Sequence, residues 1–192
     1  MFSVKLIVGL GNPGREYEAT RHNAGAAAVS QFARAHRWAL KASRTYKSLI
    51  AEGRGEAGVV FCCLPQSYMN LSGQAVAAIV AKKKIVLKNI LVVHDDVDLP
   101  LGALRFKAGG SGAGHNGVAS LIERLAERDF ARLRIGIGPK PASADLSDFV
   151  LSKFFREEQA VASRSLLRAS SAIEMWVREG CQKSMNEYNR KE

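Results

Sequence analysis

His22 and Asp95 are the side chains best suited to moving a proton. His22 lies in Thr20-Arg21-His22-Asn23, at the expected start of a helix, where the positive end of the helix dipole favours the neutral, basic imidazole. Asp95 follows an apolar run in His94-Asp95-Asp96-Val97-Asp98, so a carboxylate projects from the end of a buried strand. A neutral histidine steered by a carboxylate is the equipment of general base catalysis. Three amides accompany them: Asn12 in Gly9-Leu10-Gly11-Asn12-Pro13-Gly14, Asn70 in Tyr68-Met69-Asn70-Leu71-Ser72, and Asn116 in Gly114-His115-Asn116-Gly117. Each falls beside a strand end or a helix start, where a side-chain amide can bind a polarised oxygen. Taken singly, each has a plainer reading: a capping histidine, a turn of solvated acids or a hard-metal site, a helix cap at Asn70. His36 and His94 read as ordinary structural residues.

Other chemistries find less support. The glycine run at 9–14 fits G-x-G-x-x-G, but Arg15 to Arg21 carries no apolar stripe, and Arg34-Ala35-His36-Arg37 stands where a ribose-binding acid is due. Gly109 to Gly117 lacks the Gly-Lys-Ser/Thr end of a nucleotide-binding loop. No G-x-S-x-G is present, Ser111 has no strand-to-elbow context, and Cys62 and Cys63 lie in an apolar run that reads as core. Three cysteines without a metal-site spacing suggest neither a disulfide framework nor zinc.

The elements that must position these groups follow from periodicity. A chain of 192 residues, 47% apolar and 24% charged, fits one folded domain and excludes disorder as the main reading. Buried strands are expected at Lys5–Leu10, Gly58–Leu64 and Asn89–His94, with Asp95-Asp96 ending the last, and another strand near Ser48–Gly53. Leu101–Ala108 and Ala131–Gly138 alternate, turning Arg105, Lys107, Arg132 and Arg134 away from their apolar neighbours. Helices are expected over 23–37, 72–81 and 118–127, and an amphipathic one over 156–179. Strands alternating with helices predict a single-domain, three-layer α/β sandwich around a mixed, mostly parallel sheet, with the ligand site at the C-terminal ends of the strands. A helical segment from about residue 156 completes the expected domain of residues 1–192. No stretch has the length of a membrane span, no leader is evident, and a cytoplasmic location is expected. The excess of 28 Lys+Arg over 18 Asp+Glu, a net +10, suits a polyanionic partner such as nucleic acid.

Five separated blocks carry a specific resemblance: Gly9 to Gly14, Tyr17 with Thr20 to Asn23, Tyr68 to Gly73, His94-Asp95-Asp96, and Gly114 to Gly117, reinforced by Arg132 to Gly138. In that order and spacing, over nearly the whole chain, they resemble bacterial-type peptidyl-tRNA hydrolase. The resemblance implies hydrolysis of the ester joining a peptide to the terminal ribose of tRNA, by a monomer without metal or cofactor. It implies His22 as base, Asp95 as its partner, and Asn12 as a catalytic amide that also helps distinguish N-blocked substrates. Tyr17, Tyr68, Met69, Asn70, His115 and Asn116 would contact the tRNA end and the peptide. Departures from the family pattern fall at Ala113, where another glycine is usual, and at Ala119, Asp96 and Ser67.

With no activated serine or cysteine in view, water is the expected nucleophile. Asn12, Asn70 and Asn116 share the oxyanion and water-orienting roles in a division the sequence leaves open. Arg105, Lys107 and Arg134 are the expected phosphate contacts, with Lys82, Lys83, Lys84, Lys183, Arg190 and Lys191 as weaker candidates. Two rivals remain at this stage: a non-enzymatic RNA-binding module, and a nucleotide-dependent oxidoreductase resting on the glycine motif alone.

Overall fold

Alternation within the apolar runs builds a sheet that is covered on both faces. In the computed structural model, which describes residues 4–55 and 58–190, Leu6 and Val8 of β1 (Val4–Gly9) face one helical layer and Ile7 the other. The adjacent cysteines of β4 (Gly58–Pro65) divide in the same way. With β2 (Lys41–Ser43), β3 (Ser48–Gly55), β5 (Ile90–Pro100), β6 (Leu104–Lys107) and β7 (Ala131–Gly138), they form a seven-stranded sheet of order β2-β3-β4-β1-β5-β7-β6. The pairs β4–β1, β1–β5 and β5–β7 are parallel, and antiparallel pairs complete both edges.

One face is covered by α1 (Ala24–Ala35) and α5 (Gln159–Glu179), where Phe32, Val29, Ile173 and Trp176 are buried. The other is covered by α2 (Ser72–Lys83) and α3 (Asn116–Leu125), through Val76, Ile79, Val118 and Leu121. The result is the expected three-layer α/β sandwich with a mixed sheet. From β1 the chain first builds the sheet outward on the β4 side, then crosses back to β5 on the other side of β1, and at such a switch point the helices diverge and leave a crevice at the strand ends.

The crevice has rigid walls. Leu10 N donates to Val93 O at 3.0 Å, and Ala26 N donates to Leu10 O at 2.9 Å. Between them lies Gly25, where a Cβ would stand 2.2 Å from Val93 O. Only glycine lets the start of α1 touch the backbone of β5 this closely.

Several boundaries differ from expectation. β5 does not stop at His94: Asp95 pairs with Ile135 and Asp96 with Gly136, and the strand continues through a register shift to Pro100. The acids belong to the ladder because each finds a partner beyond it, Asp95 among histidines and Asp96 on Arg134. The helix expected at 118 begins at Asn116, capped by the His115 ring, and the one expected at 156 begins at Gln159. Three short elements went unread: β2, α4 (Leu146–Leu151) and α6 (Cys181–Tyr188). Asp145, whose carboxylate accepts from Ser147 N and Asp148 N, was the legible signal for α4. Among the described residues no helix is long and apolar enough to cross a membrane.

Candidate active site

Three consecutive residues of a 3-10 turn, Arg21–Asn23, hang the site between β1 and α1. Asn23 clamps the preceding loop: its Oδ1 accepts from Asn12 N and its Nδ2 donates to Asn12 O, each at 2.9 Å. Asn12 Oδ1 in turn accepts from Met69 N at 2.8 Å. A backbone N–H can only donate, so the Asn12 amide is oriented with its oxygen outward to Met69 and its NH2 left for the cleft that Asn12 lines.

His22 turns its Nδ1 to Asp95, 2.9 Å from Oδ1 and 3.0 Å from Oδ2. His115 Nε2 approaches the same Oδ1 at 3.0 Å. The tautomers follow from the other contacts. His115 Nδ1 accepts from Gly117 N at 3.1 Å and Val118 N at 3.3 Å, the open N–H groups of α3, so the His115 proton sits on Nε2 and is donated to Asp95. With the carboxylate accepting from His22 Nδ1–H as well, His22 Nε2 is left with a lone pair.

Asp95 is only 3% exposed, and burial alone would raise its pKa. Its interaction with His115, followed by that with His22, outweighs burial and holds the carboxyl well below the usual carboxylate range. His94 adds a third ring, edge-on to His115 with centroids 4.7 Å apart. Its Nδ1–H donates to the Asp95 carbonyl at 2.7 Å, while Nε2 is buried without a partner. Burial, then the neighbouring His115, push His94 down to about 3, so it stays neutral.

The ligand atoms of His22, Asp95 and His115 lie within 4.8 Å of one another, the spacing of a metal site. The donor chemistry argues otherwise: the His115 nitrogen that would ligate carries a proton, and the two N–H groups and the carboxylate already satisfy one another. Cys62 and Cys63 supply no nucleophile, since burial pushes both thiols up to about 12.

The histidines open into a cleft of about 620 Å³. It brings together most of the residues singled out from sequence: Asn12, His22, Tyr68, Met69, Asn70, Asp95, Lys107, His115, Asn116 and Arg134 all line it. Tyr68, Asn70 and Asn116 are exposed at its mouth. Tyr17 and Arg105 lie outside the lining. The Arg105 guanidinium is bound to the Asn189 carbonyl at the end of α6, and Arg134 is ion-paired with Asp96, so of the three expected phosphate cations only Lys107 is both exposed and in the cleft. Lys191 lies outside the described residues.

Sequence reasoning missed three contributors. Arg132 is 3% exposed and pins the glycine loop through the carbonyls of Gly110, Ser111 and Arg128. Strand alternation gave its face but not the loop folded over it. Asn23 and His94 were legible only as neighbours of more conspicuous residues.

Fold and site together define an α/β enzyme domain with a histidine–carboxylate pair at the crossover of its parallel strands. Comparison with known proteins makes the assignment specific: residues 6–192 match the family model described as peptidyl-tRNA hydrolase, and the chain belongs to that family. Relatives named peptidyl-tRNA hydrolase include one from Chloroflexus aggregans, 47% identical over 96% of this chain and 98% of its own length. Another, from Alkaliphilus oremlandii, is 45% identical with the same coverage. A crystal structure of peptidyl-tRNA hydrolase from Acinetobacter baumannii superposes with a TM-score of 0.92, at 36% identity, covering 100% of this chain and 97% of that one.

Proposed function

We propose that the chain hydrolyses the ester between the peptide of a peptidyl-tRNA and the 3′-terminal ribose, returning free tRNA to translation in the cytoplasm. The observation that carries the reading is the His22–Asp95 contact, made beside the oriented Asn12 amide in one cleft.

The chemistry needs only these groups and water. His22 Nε2 takes a proton from water as the oxygen attacks the acyl carbon, a contribution of ~10²–10⁴-fold for a placed base. Asp95 keeps the tautomer and stabilises the imidazolium as it forms. The Asn12 NH2 donates to the carbonyl oxygen as it gains charge, worth roughly 3 kcal/mol where one such donor is removed from other hydrolases. Collapse of the tetrahedral species breaks the bond to the ribose oxygen, which recovers the proton from His22. Asn70 and Asn116 at the mouth hold the peptide and the acceptor end, beside Tyr68 and Met69. His115 is assigned a different task from the substrate contact first expected: both its nitrogens are engaged within the protein, so it holds Asp95.

Lys107 takes the phosphates, with Arg134 available only in competition with Asp96. The enzyme acts as a monomer and without a metal: the cleft-lining side chains form a complete set for the reaction, and the His115 nitrogen facing Asp95 carries a proton in place of a lone pair.

The decisive experiment offers N-blocked aminoacyl-tRNA and its unblocked counterpart in parallel. Cleavage of the blocked form, undiminished by chelator, is expected. Binding without release of the acyl group would instead mark a non-enzymatic RNA-binding module.

A further inference from the structure

Arg21, the residue before the base, is completely buried, and no step above uses it. A guanidinium does not give up its proton inside a protein, so a full positive charge is enclosed here. Its partners come almost entirely from the segment that follows β7. Nη2 meets Glu158 Oε2 at 2.5 Å and Nε donates to Ser152 Oγ at 3.3 Å. The guanidinium carbon lies 4.5, 4.8 and 5.3 Å from the ring centres of Phe149, Phe154 and Phe155. The main chain repeats the connection: Arg21 N donates to Ser152 O at 2.9 Å, and Thr20 bridges to Lys153.

The segment held in this way begins with α4, whose Leu146, Val150 and Leu151 form an apolar wall of the cleft. One residue therefore grips the wall while its neighbour in the chain is the base. Enclosing a charge is a poor route to stability, since well-packed apolar residues often do as well or better. What an ion pair among three rings does supply is a single allowed geometry.

We propose that Arg21 is a positioning residue of the hydrolytic reaction, locking His22 and the α4 wall into one rigid unit so that the base meets an acyl group held against that wall. The inference rests on the reading of His22 as base. In the 3-10 turn successive side chains diverge by about 120°, and each is fixed by a different part of the molecule: Arg21 by the segment after β7, His22 by Asp95, Asn23 by the Asn12 backbone. Lysine in place of Arg21 keeps the charge but not the planar fork or the stacking.

The test is steady-state cleavage of N-blocked aminoacyl-tRNA by the wild type, Arg21→Lys, Arg21→Met and Glu158→Gln, each assayed well below its own melting temperature. Arg21→Met and Glu158→Gln are expected to lower kcat at least tenfold with KM within twofold, and Arg21→Lys to recover part of the loss. The acid limb of the pH–rate profile is expected to move in the same variants, because the His22–Asp95 contact loosens. Folded variants with wild-type kcat and only a lower melting temperature would show a purely structural arginine and overturn the proposal. So would a raised KM at unchanged kcat, which makes the wall a binding feature alone. If the Arg21 variants do not fold, Glu158→Gln, which preserves side-chain size and leaves Arg21 in place, decides the matter by the same criteria. A wild type that leaves the blocked ester intact overturns the hydrolase reading itself and the inference with it, a result distinct from all the others.

Discussion

Asp95 and Arg21 are charges of opposite sign buried on either side of the same histidine, and their surroundings differ in kind. Asp95 is ringed by imidazoles: His22 and His115 on its carboxylate, His94 on its carbonyl. Arg21 is ringed by phenyl groups and one carboxylate. Imidazoles can gain or lose a proton near neutral pH, whereas phenyl rings cannot and a paired guanidinium does not. The first setting suits a change of charge during a reaction, and the second keeps the guanidinium charged. A single 3-10 turn joins the two, so the proposed base is carried by backbone that is held still.

Removing the proposed base strikes the first setting hardest. His22→Ala should abolish ester cleavage, a fall of ~10²–10⁴-fold or more in kcat, while tRNA binding survives in a filter or fluorescence titration. Equal losses of both would make His22 structural. Asp95→Asn keeps the shape but loses the anion that stabilises the imidazolium. A drop of roughly 10²–10⁴ in kcat with little change in tRNA affinity is expected, and an unchanged rate would take Asp95 out of the mechanism.

Acid should unsettle the imidazole-rich side. Asp95 is depressed in the folded state and His94 is depressed to about 3 from an ordinary value near 6.5, so below these ordinary values the unfolded chain binds more protons than the folded one. The His94 contribution is full above about pH 6.5 and is lost as the pH falls to about 3, and that of Asp95 is lost only below the ordinary carboxylate range, at up to about 1.4 kcal/mol per unit for each such proton. Urea melts across that range measure the slope. His94→Phe should flatten its upper part, and an unaltered slope would show that His94 does not contribute.

Smaller effects belong to the exposed rim. Lys107→Ala should lower tRNA affinity and reduce the salt slope by about 0.7–0.9 log units per tenfold salt, whereas Arg105→Ala, whose guanidinium is bound to Asn189, should leave that slope alone. The smallest change concerns Ala113, which adopts φ 46, a left-handed conformation that disfavours any side chain. Ala113→Gly should raise stability by about 0.5–1 kcal/mol in a denaturant titration.

Much of this architecture was legible beforehand. Apolar runs located β1 and β4 closely, period-two alternation β7, and helical patterns α1, α2 and α5, because each buries a continuous apolar face. His22, Asp95 and Asn12 stood out by residue type at strand and helix ends. The end of β5 was misjudged because Asp95 and Asp96 look like a turn when their partners are unknown, and those partners come from residues 22, 115 and 134. The same blindness to distant pairing left Arg21 as an unremarked basic residue, and made Arg105 look free when a helix end more than eighty residues away engages it.

Gly25 carries a last consequence. Because the helix that follows the base rests backbone to backbone on the strand bearing the acid, their separation has the stiffness of peptide packing and owes nothing to adjustable rotamers. The site therefore has no slack with which to survive a partly loosened fold. On heating, turnover and circular dichroism should fade along one common curve, with no warm, relaxed form that still works.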